Sequence, residues 1–168
     1  SLLSACETAT QKVVTGTSTS ASGSASASSS VDKKKSLFAA AKQTAADKLI
    51  AVGDRVLFDY DSATLDSSAK ILLDAQSRFL RANTDLNFII EGHCDERGTR
   101  EYNLALGEQR ATAVRDYLVI QGIDPDRIKV ISYGKEKPAV VGSNTMAWSK
   151  NRRAVTIIAV SYTHLRAH

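Results

Sequence analysis

Leu86-Asn87-Phe88-Ile89-Ile90-Glu91-Gly92-His93-Cys94-Asp95-Glu96-Arg97-Gly98-Thr99 is the stretch on which the fold of this chain turns. Its first half is rich in β-branched and aromatic side chains and reads as a central strand. Its second half becomes polar and acidic and, with Gly98 as the turn residue, reads as a loop. Arg100 to Gln121 then predicts a helix, with Leu106, Ala111, Val114, Tyr117 and Leu118 along one face and Gly122 at its C-terminal end. On the N-terminal side, Arg55-Val56-Leu57-Phe58 predicts a strand ending in the acidic loop Asp59-Tyr60-Asp61-Ser62. Asp66 is placed to cap a helix running to about Ala82, with Ala69, Leu72, Leu73, Gln76, Phe79 and Leu80 at helical spacing. On the C-terminal side, Ile128 to Tyr133 predicts a third strand, Met146 to Lys150 a short helical turn, and Arg153 to Val160 a last strand. The order βαβαβ with a trailing strand gives an α+β two-layer sandwich, helices on one face of a mixed sheet, over residues 53–160.

The remaining residues are of a different kind. From Thr15 to Ser30 every residue is Ser, Thr, Ala or Gly, and no side chain there can build a core. Such a segment cannot offset its own ordering entropy, so residues 6–52 are expected to act as a flexible tether. As a coil, residues 7–52 would reach roughly 35–40 Å. Leu37 to Leu49 is an Ala-rich stretch whose apolar face is thin, a nascent helix at most. Ser161 to His168 is expected to be a tail foreign to the domain.

Charge excludes one class of partner. The chain carries a formal net charge of +4, but the excess lies outside the domain. Residues 1–52 hold six Lys against three acidic residues, while residues 53–160 hold fifteen basic and fifteen acidic residues. A nucleic-acid-binding domain concentrates its Lys and Arg on the folded unit, so no nucleic acid is expected. Lys33-Lys34-Lys35 is read as a solvated run. No apolar run is long enough to span a bilayer. The two cysteines, Cys6 and Cys94, stand far apart with no Cys/His cluster around either, so no metal or other cofactor is expected.

An enzyme is not expected either. His93 and Cys94 are neighbours on a strand, so their side chains point to opposite faces and cannot form a nucleophile–base pair. Binding chemistry fits better. Asp95 stands at the end of the central strand and Arg110 fifteen residues later in the following helix. If the helix folds back beside the strand, a carboxylate for an ammonium and a planar guanidinium for a carboxylate meet at one cleft. A ligand with both groups on one carbon suits that pair. A plain Asp95–Arg110 salt bridge tying loop to helix satisfies the same spacing. Cys94 is expected to be a small buried hydrophobe.

Four ordered motifs bear on this choice: Gly92 to Thr99, Glu101 to Ala111 (Glu-Tyr-Asn-Leu-Ala-Leu-Gly-Glu-Gln-Arg-Ala), Ser132 to Pro138 (Ser-Tyr-Gly-Lys-Glu-Lys-Pro) and Asn151 to Val155 (Asn-Arg-Arg-Ala-Val). Together they resemble the OmpA-like peptidoglycan-binding domain over about Gly53 to Ile158. Within it they resemble most closely the peptidoglycan-associated lipoproteins (Pal) of the Tol–Pal system, which serve the cell envelope and cell division. The resemblance implies non-covalent binding of the diaminopimelate of the wall peptide. It implies that Asp95 meets the ligand ammonium and Arg110 its carboxylate. Arg97, Tyr60 and Asp61 would line the pocket, Leu106 would pack on the alkyl stem, and Asn103 and Thr99 would add hydrogen bonds. Arg152 and Arg153 would contribute to cleft electrostatics. On this view Asp95 and Arg110 are each dispensable for folding.

Leu3-Ser4-Ala5-Cys6 resembles a bacterial lipobox, with residues 1–5 the end of a signal peptide and Cys6 the acylated residue. Several acyl chains on one Cys anchor firmly without a transmembrane helix. Glu7 is compatible with sorting to the outer membrane, the domain facing the periplasm. The implied partners are peptidoglycan, the outer membrane and the Tol proteins, TolB among them. A wall-anchoring stator module of a motor or secretion complex is the alternative; it would share the pocket but need a membrane-spanning helix.

Overall fold

The computed structural model describes residues 28–159. The Leu3–Cys6 motif, residues 7–27 of the expected tether and the tail 161–168 lie outside the described residues. Helix α1 (Ser28–Val52) leads into strand β1 (Arg55–Leu57), α2 (Ser67–Ala82), β2 (Phe88–His93) and α3 (Arg100–Ile120). A 3-10 turn (Pro125–Arg127), β3 (Ile128–Gly134), α4 (Thr145–Asn151) and β4 (Arg153–Ile158) follow. The sheet order is β1-β4-β2-β3. β2 and β3 run parallel, joined through α3 as a parallel pair requires, and β4 is antiparallel to both of its neighbours. The α+β sandwich on a mixed sheet is therefore as expected. The strand that is last in sequence lies inside the sheet, between β1 and β2.

Local chemistry explains the boundaries. The Asp66 carboxylate accepts from the Ala69 N–H at 2.7 Å and starts α2, and Thr99 Oγ1 accepts from the Tyr102 N–H at 3.2 Å and starts α3. Leu73 and Leu80 of α2 and Leu118 of α3 have no exposed surface, and they meet Phe88 and Ile90 of β2 in the core. Gln76, also fully buried in α2, donates from Nε2 to the Gly53 carbonyl at 2.7 Å. Arg127 staples the turn after α2, reaching the carbonyls of Leu80, Asn83 and Leu86.

The expected boundary at residue 53 is corrected by α1. Residues 28–52 are helical, not coil, and a helix of that length extends about 37 Å. Its C-terminal part belongs to the folded unit: Ala45 and Leu49 are buried, and Ala45 joins the core cluster. Residues 31–41 are exposed throughout. No helix among the described residues is long and apolar enough to cross a membrane.

One close approach positions everything that follows. Gly92 of β2 lies against Gly107 of α3, and a Cβ on Gly92 would sit 3.0 Å from the Gly107 Cα and closer still to its carbonyl. Ser132 Oγ of β3 donates to the Leu104 carbonyl at 2.7 Å, holding the same helix from the neighbouring strand. Pressed down in this way, α3 brings Asn103, Leu106 and Arg110 up against the C-terminal end of β2.

Candidate ligand-binding cleft

Period-two alternation divides β2. Phe88, Ile90 and Gly92 face the helices, whereas Ile89, Glu91 and His93 face the opposite side of the sheet. The strand ends in a bulge, because Gly92 pairs with Ser132 but His93 pairs with Gly134. Past it, Cys94 N–H still donates to the Gly134 carbonyl at 2.8 Å, and the chain enters the loop carrying Asp95 and Arg97. That loop, the Tyr60-Asp61 turn and the start of α3 enclose a solvent-open cleft of about 50 Å³. Tyr60, Asp61, Cys94, Asp95, Arg97, Gly98, Tyr102, Asn103, Leu106 and Arg110 line it. Seven of the eight residues expected at the site are among them. Thr99 is not; its hydroxyl is spent on capping α3.

Asp95 and Arg110 reach the same cleft without pairing. Asp95 is only 4% exposed and is gripped by Arg97: Oδ1 accepts from the Arg97 N–H at 3.0 Å and from Nε at 3.1 Å, and Oδ2 accepts from Nη2 at 2.8 Å. Arg152 Nη1 approaches Oδ2 at 3.5 Å. Burial works to raise the Asp95 pKa, but hydrogen bonds from Arg97 and then Arg152 outweigh it and hold the carboxyl below its ordinary value. Arg97 in turn lies between two rings, its Cζ 4.2 Å from the centre of Tyr60 and 4.0 Å from that of Trp148.

Arg110 is 1% exposed and one of the largest fully buried side chains. Its Nε donates to the Ser62 carbonyl at 2.8 Å, Nη1 to His93 at 2.9 Å and Nη2 to Asp59 at 3.0 Å. One guanidinium thus ties the β1–α2 loop to the end of β2. Against the expectation that Arg110 is dispensable for folding, these bonds argue for a structural role as well. It also excludes a simple Asp95–Arg110 salt bridge. A guanidinium has five N–H donors, so two remain beyond these three bonds.

The other wall is fixed by Asp61, whose φ of +51° is a left-handed conformation that Asp tolerates. Its carboxylate accepts from the Tyr102 hydroxyl. Asn103 Nδ2 donates to the Arg97 carbonyl at 2.9 Å and anchors the loop. Cys94 is buried, as expected, with Sγ 3.3 Å from the Asn103 carbonyl oxygen. Burial pushes its thiol pKa up, so it remains protonated and unreactive. The floor therefore combines guanidinium, carboxylate and one aliphatic side chain, Leu106.

Residues 57–152 match the family model described as the OmpA family. The chain belongs to the OmpA family. A "Peptidoglycan-associated lipoprotein" of Rhizobium meliloti is 50% identical over 120 residues, 71% of this chain and 68% of that protein. The crystal structure of the peptidoglycan-associated lipoprotein from Burkholderia pseudomallei superposes with a TM-score of 0.61 at 39% identity, over 63% of this chain and 90% of that one. The C-terminal domain of Helicobacter pylori MotB shares the fold, with a TM-score of 0.60 at 17% identity, over 65% of this chain and 86% of that one.

On this OmpA-family domain, one residue of the cleft's surround, Trp148, carried no sequence signal, and another, Arg152, lies where its motif implied. Trp148, on the short α4, supplies one of the rings over Arg97 and donates from Nε1 to Glu96 Oε1 at 3.0 Å. Arg152 backs Asp95 and also donates from Nε to the Phe58 carbonyl at 2.9 Å. Arg153, by contrast, is not in the cleft. It lies on the opposite face of the sheet, where β4 pairs it with His93.

That opposite face holds a buried titratable group. His93 is 1% exposed, its Nε2 lies 3.2 Å from Glu91 Oε2, and its ring stacks on Tyr133. Burial, then the nearby Arg153, lowers its pKa below the ordinary 6.5; Glu91 opposes and Lys137 reinforces the shift. The folded state then binds fewer protons than the unfolded state. Stabilisation from the neutral ring is complete above 6.5 and is lost as pH falls through the lower folded value. His93→Gln is accordingly expected to flatten the fall in melting temperature between about pH 7 and pH 5. A variant profile parallel to wild type would refute that assignment.

Proposed function

We propose that this chain is an outer-membrane lipoprotein that holds peptidoglycan non-covalently, through the diaminopimelate of the wall peptide. The observation that carries this reading is the convergence of Asp95, Arg97, Arg110 and Leu106 on one small cleft at the end of β2. The free end of diaminopimelate bears an ammonium and a carboxylate on one carbon, joined to an alkyl stem. Asp95 suits the ammonium, the spare donors of Arg110 and the edge of Arg97 suit the carboxylate, and Leu106 suits the stem. Tyr60, Asp61 and Asn103 shape the walls. The names of the relatives support the same ligand class.

In this reading Cys6 carries the lipid, residues 7–27 form the tether, and α1 is a rigid extension ending on the domain. Tol proteins, TolB among them, are the expected protein partners. The binding test is cosedimentation with purified peptidoglycan. Wild type is expected to pellet, and free diaminopimelate to release it. Asp95→Ala should lose at least about tenfold in affinity, since hydrogen bonds to a charged group contribute about 1.5–3 kcal/mol. Undiminished pelleting of folded Asp95→Ala would overturn the site. The anchor is tested separately: Cys6→Ser should leave the membrane fraction, and unchanged fractionation would remove the lipid from the account.

A further inference from the structure

The sheet face turned away from α2 and α3 is open to solvent and unevenly charged. The strand registers read as rows across it: Arg55–Val155–Glu91–Ile131, then Leu57–Arg153–His93 toward one end and Ile157–Ile89–Lys129 toward the other. Each row mixes charged with aliphatic side chains. Tyr133 stacks on His93, and Lys137 Nζ stands 3.9 Å from the Tyr133 ring centre, so that lysine overhangs the same face. Leu57 is 51% exposed, and Arg55, Lys129 and Lys137 are exposed as well.

The cations on this face outnumber their counter-charges. Glu91 is the one carboxylate in these rows, and it is engaged by His93 Nε2 at 3.2 Å. Asp54 takes Arg55 Nε at 3.1 Å. Among the described residues, Lys129, Lys137 and Arg153 have no carboxylate within salt-bridge distance. Arg153 spends Nη1 and Nη2 on the Asn151 and Lys137 carbonyls, and its Nε has no partner. Burial and then repulsion from Arg55 push the Arg153 pKa below its ordinary value, and Glu91 opposes them. The field over this face is therefore positive, although residues 53–160 as a whole hold equal numbers of basic and acidic residues.

We propose that this face docks an acidic amphipathic helix of another protein. A sheet with helices on both sides is a stable layer arrangement, and α2 and α3 already supply one side. Leu57, Ile131 and Ile157 meet the aliphatic residues of the incoming helix, while Arg55, Lys129 and Lys137 meet its Asp and Glu side chains. The remainder of this chain cannot supply that helix, because residues 1–27 and 160–168 hold one acidic residue, Glu7. A second copy is disfavoured too. A two-fold contact through this face sets its lysines and Arg153 against their equals. The cleft opens at the end of β2 on the helix side, so a docked partner leaves it free. The inference does not depend on what the cleft binds.

The probe is a designed helical peptide with Leu on one side and Glu on the other, titrated into the ¹⁵N-labelled chain at low salt. Backbone shifts are expected at Leu57, Lys129, Ile131 and Lys137, and not at Asp95 to Asn103. The same peptide with Lys in place of Glu should bind at least about tenfold more weakly. Lys129→Glu together with Lys137→Glu should cost a similar factor of about ten, and Leu57→Ser about threefold. Melting temperatures should not change, because all three side chains are exposed. Vesicles containing phosphatidylglycerol form the competing arm. The same shifts with vesicles, and none with the peptide, would assign the face to a lipid surface and overturn the inference. Equal binding of the Glu and Lys peptides, shifts spread over α2 and α3, or undiminished binding by the substituted chains would overturn it as well. Self-association of the chain that the paired Glu substitutions abolish would overturn it in favour of a second copy.

Discussion

In Arg110→Ala the thermal midpoint is expected to fall by roughly 10–20 °C, and retention on peptidoglycan to vanish with it. Removing the guanidinium strands the carbonyls of Ser62, His93 and Asp59, which it now satisfies at 2.8–3.0 Å. Leaving a buried acceptor unsatisfied costs about 1–3 kcal/mol, so three together cost at least about 3 kcal/mol, and a domain of this size loses about 3–5 °C per kcal/mol. Arg110→Lys should recover only part of the loss, because an ammonium cannot address three carbonyls across the fork of a guanidinium. The pairing of effects matters. Arg110 is a strut between the β1–α2 loop and the end of β2, and whatever it offers a ligand depends on its doing that first. Circular dichroism melts beside the pelleting assay check this. A well-folded Arg110→Ala with an unchanged midpoint would contradict the strut.

Gly92→Ala is expected to be at least as damaging, although the residue touches no ligand group. The new Cβ would enter the Gly107 carbonyl, and backbone cannot rotate away as a side chain can. Overpacking costs typically about 1–3 kcal/mol where side chains yield; here α3 must leave the sheet, so the cost is on the order of 3 kcal/mol or more. Gly107→Ala differs, because its Cβ would first meet Ser132 Oγ, a side-chain atom. Its defect should therefore be partly relieved by Ser132→Ala, whereas Gly92→Ala should not be. Denaturant midpoints of Gly92→Ala, Gly107→Ala and Ser132→Ala, and of the two double variants that add Ser132→Ala to each glycine substitution, decide this. Equal rescue of both would mean that the helix is held by something other than backbone contact.

Much of this was legible in the sequence, for physical reasons that also mark where legibility stopped. The β-rich run expected from Leu86 forms Phe88–His93, and it and the long periodic helix after it fall within two residues of their expected limits, because both bury a continuous face. Helix α1 gave no such stripe, since among residues 31–52 only Ala45 and Leu49 are buried, and two positions make no periodicity. The place of β4 between β1 and β2 is a long-range pairing that no local pattern encodes. At the cleft, residue types and motif order brought out Asp95, Arg97, Leu106 and Arg110. What they could not convey is partnership. The sequence suggests that Asp95 and Arg110 face each other; instead Arg97 holds Asp95 and three carbonyls hold Arg110. Trp148 was silent because a lone aromatic on a seven-residue helix looks like any half-buried residue.

The most direct test of the central claim is an NMR titration of the ¹⁵N-labelled domain with a soluble stem peptide ending in diaminopimelate. Saturable shifts should cluster at Asp95 to Asn103, at Tyr60 and Asp61, and at the Arg110 side chain. Glu91, Arg153 and the rest of the opposite sheet face should stay still. Shifts confined to that opposite face, or none at millimolar peptide with a folded protein, would contradict the assignment of the cleft.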